Sequence, residues 1–141
     1  SNIMVKDKKF GLIDSQDALR GNLLYDVVSL IDDVRIKLPT KLKSSLFRYY
    51  LSKTPKIKKN NEKLLAQNDF DILSVQRNLK ILGIFVRLFK RDRKLNYLKY
   101  LPYIWELLAL RLKNPILINL KKLLNKAVPI KNRKKVNFND N

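Results

Sequence analysis

The sequence predicts a mainly α-helical chain that opens with one short β-hairpin. Three observations carry that reading. Apolar residues recur at helical period over most of positions 22–126. The only strand-like signal is a pair of short apolar runs near the N-terminus, Ile3 to Val5 and Phe10 to Ile13, separated by a polar "KDKK". Hydrophobic residues make up 45% of the 141 positions, enough to build one domain with a modest core.

The elements follow in order. Gly21 and Asn22 supply a turn and cap, and the apolar positions 23, 24, 27, 28, 30, 31 and 34 define a broad helical face, which predicts a helix over 22–36 that Pro39 ends. Thr40 then caps a second helix reaching about Ser52, with Leu42, Leu46, Phe47, Tyr50 and Leu51 inward. The stretch "SKTPKIKKNN" is polar, basic and aperiodic, and reads as an exposed loop. A long helical pattern runs from Glu62 to about Lys90, with a possible restart at Asn68 and Asp69; its segment "VQRNLKILGIFVRLFKR" is the most apolar of the chain and the expected central helix. Leu95 to Leu112 forms a further helix with Pro102 in the first turn, and Pro115 opens a last one reaching about Lys126. Residues 1–128 are expected to form the folded unit, and 129–141 a basic, disordered tail. The tyrosines and Trp105 in "YLKYLPYIWELLALRL" stand at helical spacing, which favours core over an exposed ligand wall.

Composition narrows the chemistry. The chain has no Cys and no His, so disulfides, thiolates, Cys or His zinc sites and histidine bases are excluded within it. Lys and Arg total 31 against 12 Asp and Glu, a net charge of +19 that attracts polyanions. Twenty-two of these bases are Lys, and the chain is rich in Asn and Ile, a composition that an AT-rich genome also produces. No apolar run approaches the ~20 residues of a membrane span, and no secretory signal is present. The start at Ser1, directly into strand-like sequence, reads as a cut in a longer protein.

Against this basic background, five aspartates and a single base, Arg20, fall between Asp14 and Asp33. A hairpin with an Asn just before it and an Asp at its far end matches a kinase arrangement. There, the last residue of the H-R-D-x-x-x-x-N loop and the Asp of D-F-G hold magnesium. Asn2 and Asp14 stand at those two places. Taken alone, an Asp at a strand end is more often an Asx-turn or a helix cap.

The wider stretch "GLIDSQDALRGNLLYDVVSL" resembles the aminoglycoside phosphotransferase and sugar kinase superfamily. It is most similar to the bacterial N-acetylmuramate and N-acetylglucosamine anomeric kinases, in its I-D-x-Q-D-A, R-G and Y-D-x-V-S-L elements. A second block, "VQRNLKILGIFVRLFKRDRKLNYLKYLP", resembles the same family, and the likeness runs over about residues 2–125. It implies the C-terminal lobe of a protein-kinase-like fold, without the N-terminal lobe and most of the catalytic loop. It further implies that Asn2 and Asp14 bind Mg2+ bridging ATP phosphates, and that Asp26 is a buried aspartate bracing the catalytic loop. Gln16, Asp17 and Arg20 would line the cleft floor, and Gln76 and Arg77 would lie near the acceptor sugar. The general base would precede Asn2. Arg87, Arg91 and Asp92 read instead as a structural ion-pair set.

Three positions depart from the family pattern: Ser15 replaces an aromatic, Asn22 a proline, and Arg93 a turn glycine. The implied function is γ-phosphoryl transfer from ATP to an amino sugar hydroxyl, the anomeric one, in cytoplasmic cell-wall sugar recycling, with this piece inactive by itself. The implied partners are ATP and an amino sugar, with neither membrane nor nucleic acid among them. The alternative is a basic helical nucleic-acid-binding or interaction module using the Lys-rich 53–63 loop and the tail.

Overall fold

A computed structural model of the chain describes residues 3–13 and 20–133. Its architecture is mainly helical behind a short antiparallel hairpin, as the sequence predicts. Strands β1 (Ile3–Lys6) and β2 (Lys9–Leu12) pair with Ile3 opposite Leu12 and Lys6 opposite Lys9. The two-residue turn between them holds both Asp7 and Lys8 at positive φ, 50° and 62°, which suits the right-handed twist of a tight hairpin. Phe10 and Leu12 are 79% and 82% exposed and, like Met4 and Val5, pack into neither of the two cores described below.

Helix α1 (Tyr25–Ile31) is half as long as the period predicts. Asn22 does turn the chain into it, its Oδ1 accepting from the Leu24 N–H at 2.9 Å. The helix stops because Asp32 is drawn into a buried polar cluster, while Asp33 Oδ1 accepts from the Arg35 N–H and so folds the chain into a local turn. Leu23 and Leu30, counted on the apolar face, remain exposed.

Helix α2 (Thr40–Lys53) begins one residue earlier than a Thr40 cap would place it; Pro39 is the N-cap, and Thr40 makes no capping bond. Phe47 faces inward as predicted, but the fully inward residue of the first turn is Lys43, whereas Leu42 is exposed.

Helix α3 (Asn60–Asp92) is one unbroken rod of 33 residues, about 50 Å at 1.5 Å per residue. The suspected restart at 68–69 does not occur. Asn68 and Asp69 serve lateral contacts instead, Asn68 accepting from Asn114 Nδ2 and Asp69 from Asn22 Nδ2, both at 2.9 Å. Glu62 Oε2 accepts from the Lys58 and Lys59 N–H groups at the start. At the far end Arg93 is left-handed, φ 53°, with its N–H on Phe89 O and that of Lys94 on Leu88 O, the geometry for which glycine is the ordinary residue.

A 3₁₀ turn (Leu95–Tyr100) leads into α4 (Leu101–Arg111), and a second (Pro115–Leu117) into α5 (Ile118–Ala127). Pro102 sits in the first turn of α4, as its fixed φ allows. The boundary drawn at residue 129 is corrected. A short α6 (Ile130–Arg133) folds back, with the Arg133 guanidinium 4.5 Å over the Trp105 ring and bonded to Val128 O, Leu124 O and Asn125 Oδ1. Residues 134–141 lie outside the described residues.

Two apolar clusters form the core. Leu24, Val28, Ile31, Phe47, Ala66 and Phe70 join α1 and α2 to the first half of α3. Val34, Val75, Ile104, Leu107, Leu108, Leu112 and Leu117 join α3 to α4 and the turn after it. Trp105 and Tyr103 pack half-buried against the second cluster, and Tyr97 and Tyr100 tilt against Phe85, so these rings belong to the packing. No helix among the described residues is long and apolar enough to cross a membrane.

Candidate functional site

The residues singled out from sequence fall into two groups. Asn2, Asp14, Gln16 and Asp17 lie outside the described residues. Their immediate neighbours are described: Ile3 faces Leu12 across the hairpin ladder, Asn2 precedes the former, and Asp14 follows the latter by two positions. Among the described residues no three acidic side chains come together to hold a metal ion.

Arg20, Asp26, Gln76 and Arg77 are described. Arg20 and Gln76 are exposed. Asp26 lies in the first turn of α1 and is also exposed, which corrects the expectation of a buried aspartate; its backbone carbonyl accepts from Ser29 Oγ at 2.8 Å. Position 26 is off the stripe that Leu24, Val28 and Ile31 press onto α3, so the helix turns it outward. Arg77 is half-buried, with its guanidinium 5.9 Å from the centre of the Tyr25 ring and its Nε enclosed without a hydrogen-bond partner among the described residues. The fold therefore brings Arg77 against the start of α1, beside Asp26 in sequence, and leaves Gln76 on a different side of the same helix. Arg87 makes no ion pair among the described residues, whereas Arg91 Nε meets Asp92 Oδ1 at 2.7 Å, so the ion-pair reading holds for these two. That bond, with the charges of Arg91, Lys94 and Arg87, keeps the Asp92 carboxyl below the usual range.

The strongest polar cluster went unnoticed in the sequence. Asp32 is fully buried and accepts from Lys43 Nζ at 2.8 Å, Ser74 Oγ at 2.6 Å, and Arg111 through Nε at 2.8 Å and Nη2 at 3.1 Å. Lys43 also donates to Ile31 O at 2.9 Å, closing the end of α1. Arg111 spans to Asp71 at 3.4 Å, and Asp71 accepts as well from Asn114 and Gln67. The Arg111 guanidinium lies 4.6 Å over the Phe70 ring. Burial pushes the Asp32 carboxyl up, but the bonds and charge of Arg111, with the bonds of Lys43 and Ser74, outweigh it and hold the group below the ordinary carboxylate range.

The signal was present in each helix separately. Lys43 stands one turn from Phe47, Ser74 one turn from Phe70 and Asn78, Arg111 seven positions from Ile104, and Asp32 four from Val28. Each polar residue sits on an inward stripe. The cluster joins α1, α2, α3 and α4 between the two apolar cores; Asp32 and Ser74 are closed off from solvent, while Lys43 and Arg111 border a shallow surface pocket, and the bonds among them fix how those helices cross.

Comparison with known proteins adds the family context. No protein-family model matches the chain. It is 34% identical over 128 residues to the N-acetylmuramate/N-acetylglucosamine kinase of Pseudomonas aeruginosa, covering 87% of this chain and 37% of that protein. To the kinase of the same name from Caulobacter vibrioides it is 29% identical over 126 residues, 89% of this chain and 34% of that one. A third, from Neisseria meningitidis serogroup B, is 34% identical over 103 residues, 72% of this chain and 31% of that protein. The chain is thus homologous to part of the N-acetylmuramate/N-acetylglucosamine kinases, over about a third of their length.

Proposed function

We propose that this chain is part of an ATP-dependent amino-sugar kinase that acts in the cytoplasm in cell-wall sugar recycling, transferring the γ-phosphoryl group to the anomeric hydroxyl. The observation that carries the reading is the 34% identity over 128 residues to a kinase named for N-acetylmuramate and N-acetylglucosamine. The residue types support it. An amide oxygen and a carboxylate that flank one hairpin in the sequence suit a hard divalent cation, which takes oxygen ligands and leaves room for waters and phosphates.

In this reading Asn2 and Asp14 hold Mg2+. Bound there, it supplies neutralisation of charge on the phosphate oxygens. Phosphoryl transfer depends on positioning and charge, so the chain's own contribution is to fix Asp14 and Asn2 on a two-stranded frame and to present Gln16, Asp17 and Arg20 beside them. Asp26, at the solvent face of α1, braces the catalytic loop that the parent protein supplies before Asn2. Gln76, exposed on α3, and Arg77, steadied on Tyr25, lie near the acceptor sugar.

The test uses the full-length parent. With N-acetylmuramate or N-acetylglucosamine and ATP it forms sugar phosphate, and Asp14→Asn lowers kcat at least ~100-fold, since losing a metal carboxylate removes several kcal/mol of charge stabilisation and each ~1.4 kcal/mol is tenfold. The 141-residue chain with ATP and magnesium shows no sugar-dependent turnover. A parent active on neither sugar, or an Asp14→Asn parent of full activity, refutes the reading.

A further inference from the structure

Between residues 34 and 61 the chain has no acidic residue at all. The fold gathers three of the bases of that stretch with Lys63, just beyond it. The end of α2, the loop 54–59 and the start of α3 enclose an open groove of about 730 Å³, walled by Arg48, Lys53, Lys58 and Lys63 over apolar side chains of Leu51 and Ile57. None of these four head groups forms an ion pair among the described residues; Lys53 rests 5.7 Å from the Tyr49 ring centre. The only acid nearby in sequence, Glu62, spends Oε2 on the Lys58 and Lys59 N–H groups, each at 2.7 Å.

Four like charges drawn around one concavity repel each other, and an anion of several charges lessens that repulsion. A single carboxylate can satisfy only part of such a set. Arg48 offers the planar fork that pairs two phosphate oxygens, and the lysines act as point charges around it. The apolar floor takes carbon instead of charge. We infer that this groove binds a multiply charged phosphate-bearing ligand, at a site that shares no residue with those proposed for magnesium or sugar. The same chemistry comes from a free di- or polyphosphate compound or from the backbone of a nucleic acid, and the experiment separates the two.

The 141-residue chain is titrated with inorganic pyrophosphate by calorimetry at low ionic strength, and in parallel with a fluorescent oligothymidylate. Two variants of equal net charge are compared, Lys53→Glu with Lys58→Glu in the groove, and Lys122→Glu with Lys126→Glu on the exposed face of α5. Circular dichroism establishes that both fold. The expected result is saturable pyrophosphate binding that falls about tenfold or more in the groove variant, the loss of strong charge-assisted bonds, and stays within about twofold in the α5 variant. If the oligonucleotide binds tighter than pyrophosphate and is lost in the same variant, the source is a nucleic acid; if only pyrophosphate binds, it is a free phosphate compound. Absence of saturable binding to both probes, or an equal loss in both variants, overturns the inference.

Discussion

At Asp32 one carboxylate, closed off from solvent, neutralises two cations that are themselves nearly buried. A pair buried this way contributes little over an apolar replacement, but removing one partner strands the others. Asp32→Asn keeps the shape and takes away the charge, so Lys43 and Arg111 are left as buried cations. We expect a loss of roughly 3–5 kcal/mol, read as a lower urea midpoint at unchanged slope. Ser74→Ala removes one bond to the same charge and costs less, about 1–2 kcal/mol. Arg93 offers the opposite sign. It holds a left-handed φ of 53° that glycine adopts freely, so Arg93→Gly raises stability by about 1 kcal/mol, seen as a higher melting temperature. The departure from a glycine at this turn was legible through the resemblance to the kinase family, whose pattern has glycine there. The role of Asp32 was hidden, because its partners Lys43, Ser74 and Arg111 lie on three other helices.

At the scale of elements, helix positions after residue 40 were legible because each has its own apolar period and a proline or turn at its start. The errors lie where long-range contacts override local pattern. Helix α1 stops at Ile31 since Asp32 gains more from Lys43 and Arg111 than from another helical turn. Helix α3 runs through Asn68 and Asp69 since both residues find partners sideways. Helix α6 exists because Arg133 reaches Trp105 and three carbonyl oxygens, a contact no neighbouring residue announces. Arg133→Ala therefore frees the last turn, costing about 1–2 kcal/mol locally. Hydrogen exchange checks this: the amides of residues 124–128 lose protection while those of α3 keep theirs.

Over the whole molecule, charge and pH act together. The carboxyls of Asp32 and Asp33 are held below their unfolded values, the former by Arg111 and Lys43 against burial, the latter first by the hydrogen bond of Arg35. A lowered carboxyl binds its proton less readily in the folded chain, so its stabilisation is complete above the unfolded value near ~4 and is lost as pH falls through the lower folded one. The urea midpoint should be flat from neutral pH to about 5 and drop below about 4, with Asp32→Asn flattening that acid limb. The net charge of +19 adds a repulsion that salt screens, so raising ionic strength from about 0.01 to about 0.15 M raises the melting temperature.

The sequence by itself determined the hairpin, the helical order after it and the kinship with amino-sugar kinases, because periodicity and short motifs are carried by residues close together in the chain. Only the tertiary structure decided that Asp26 faces solvent, that Asp32 binds four helices together, and that Arg48, Lys53, Lys58 and Lys63 line one groove. Each of these depends on which face a helix presents to a partner far away in sequence. The energy of burial and of charge pairing is settled there, after the helices have met.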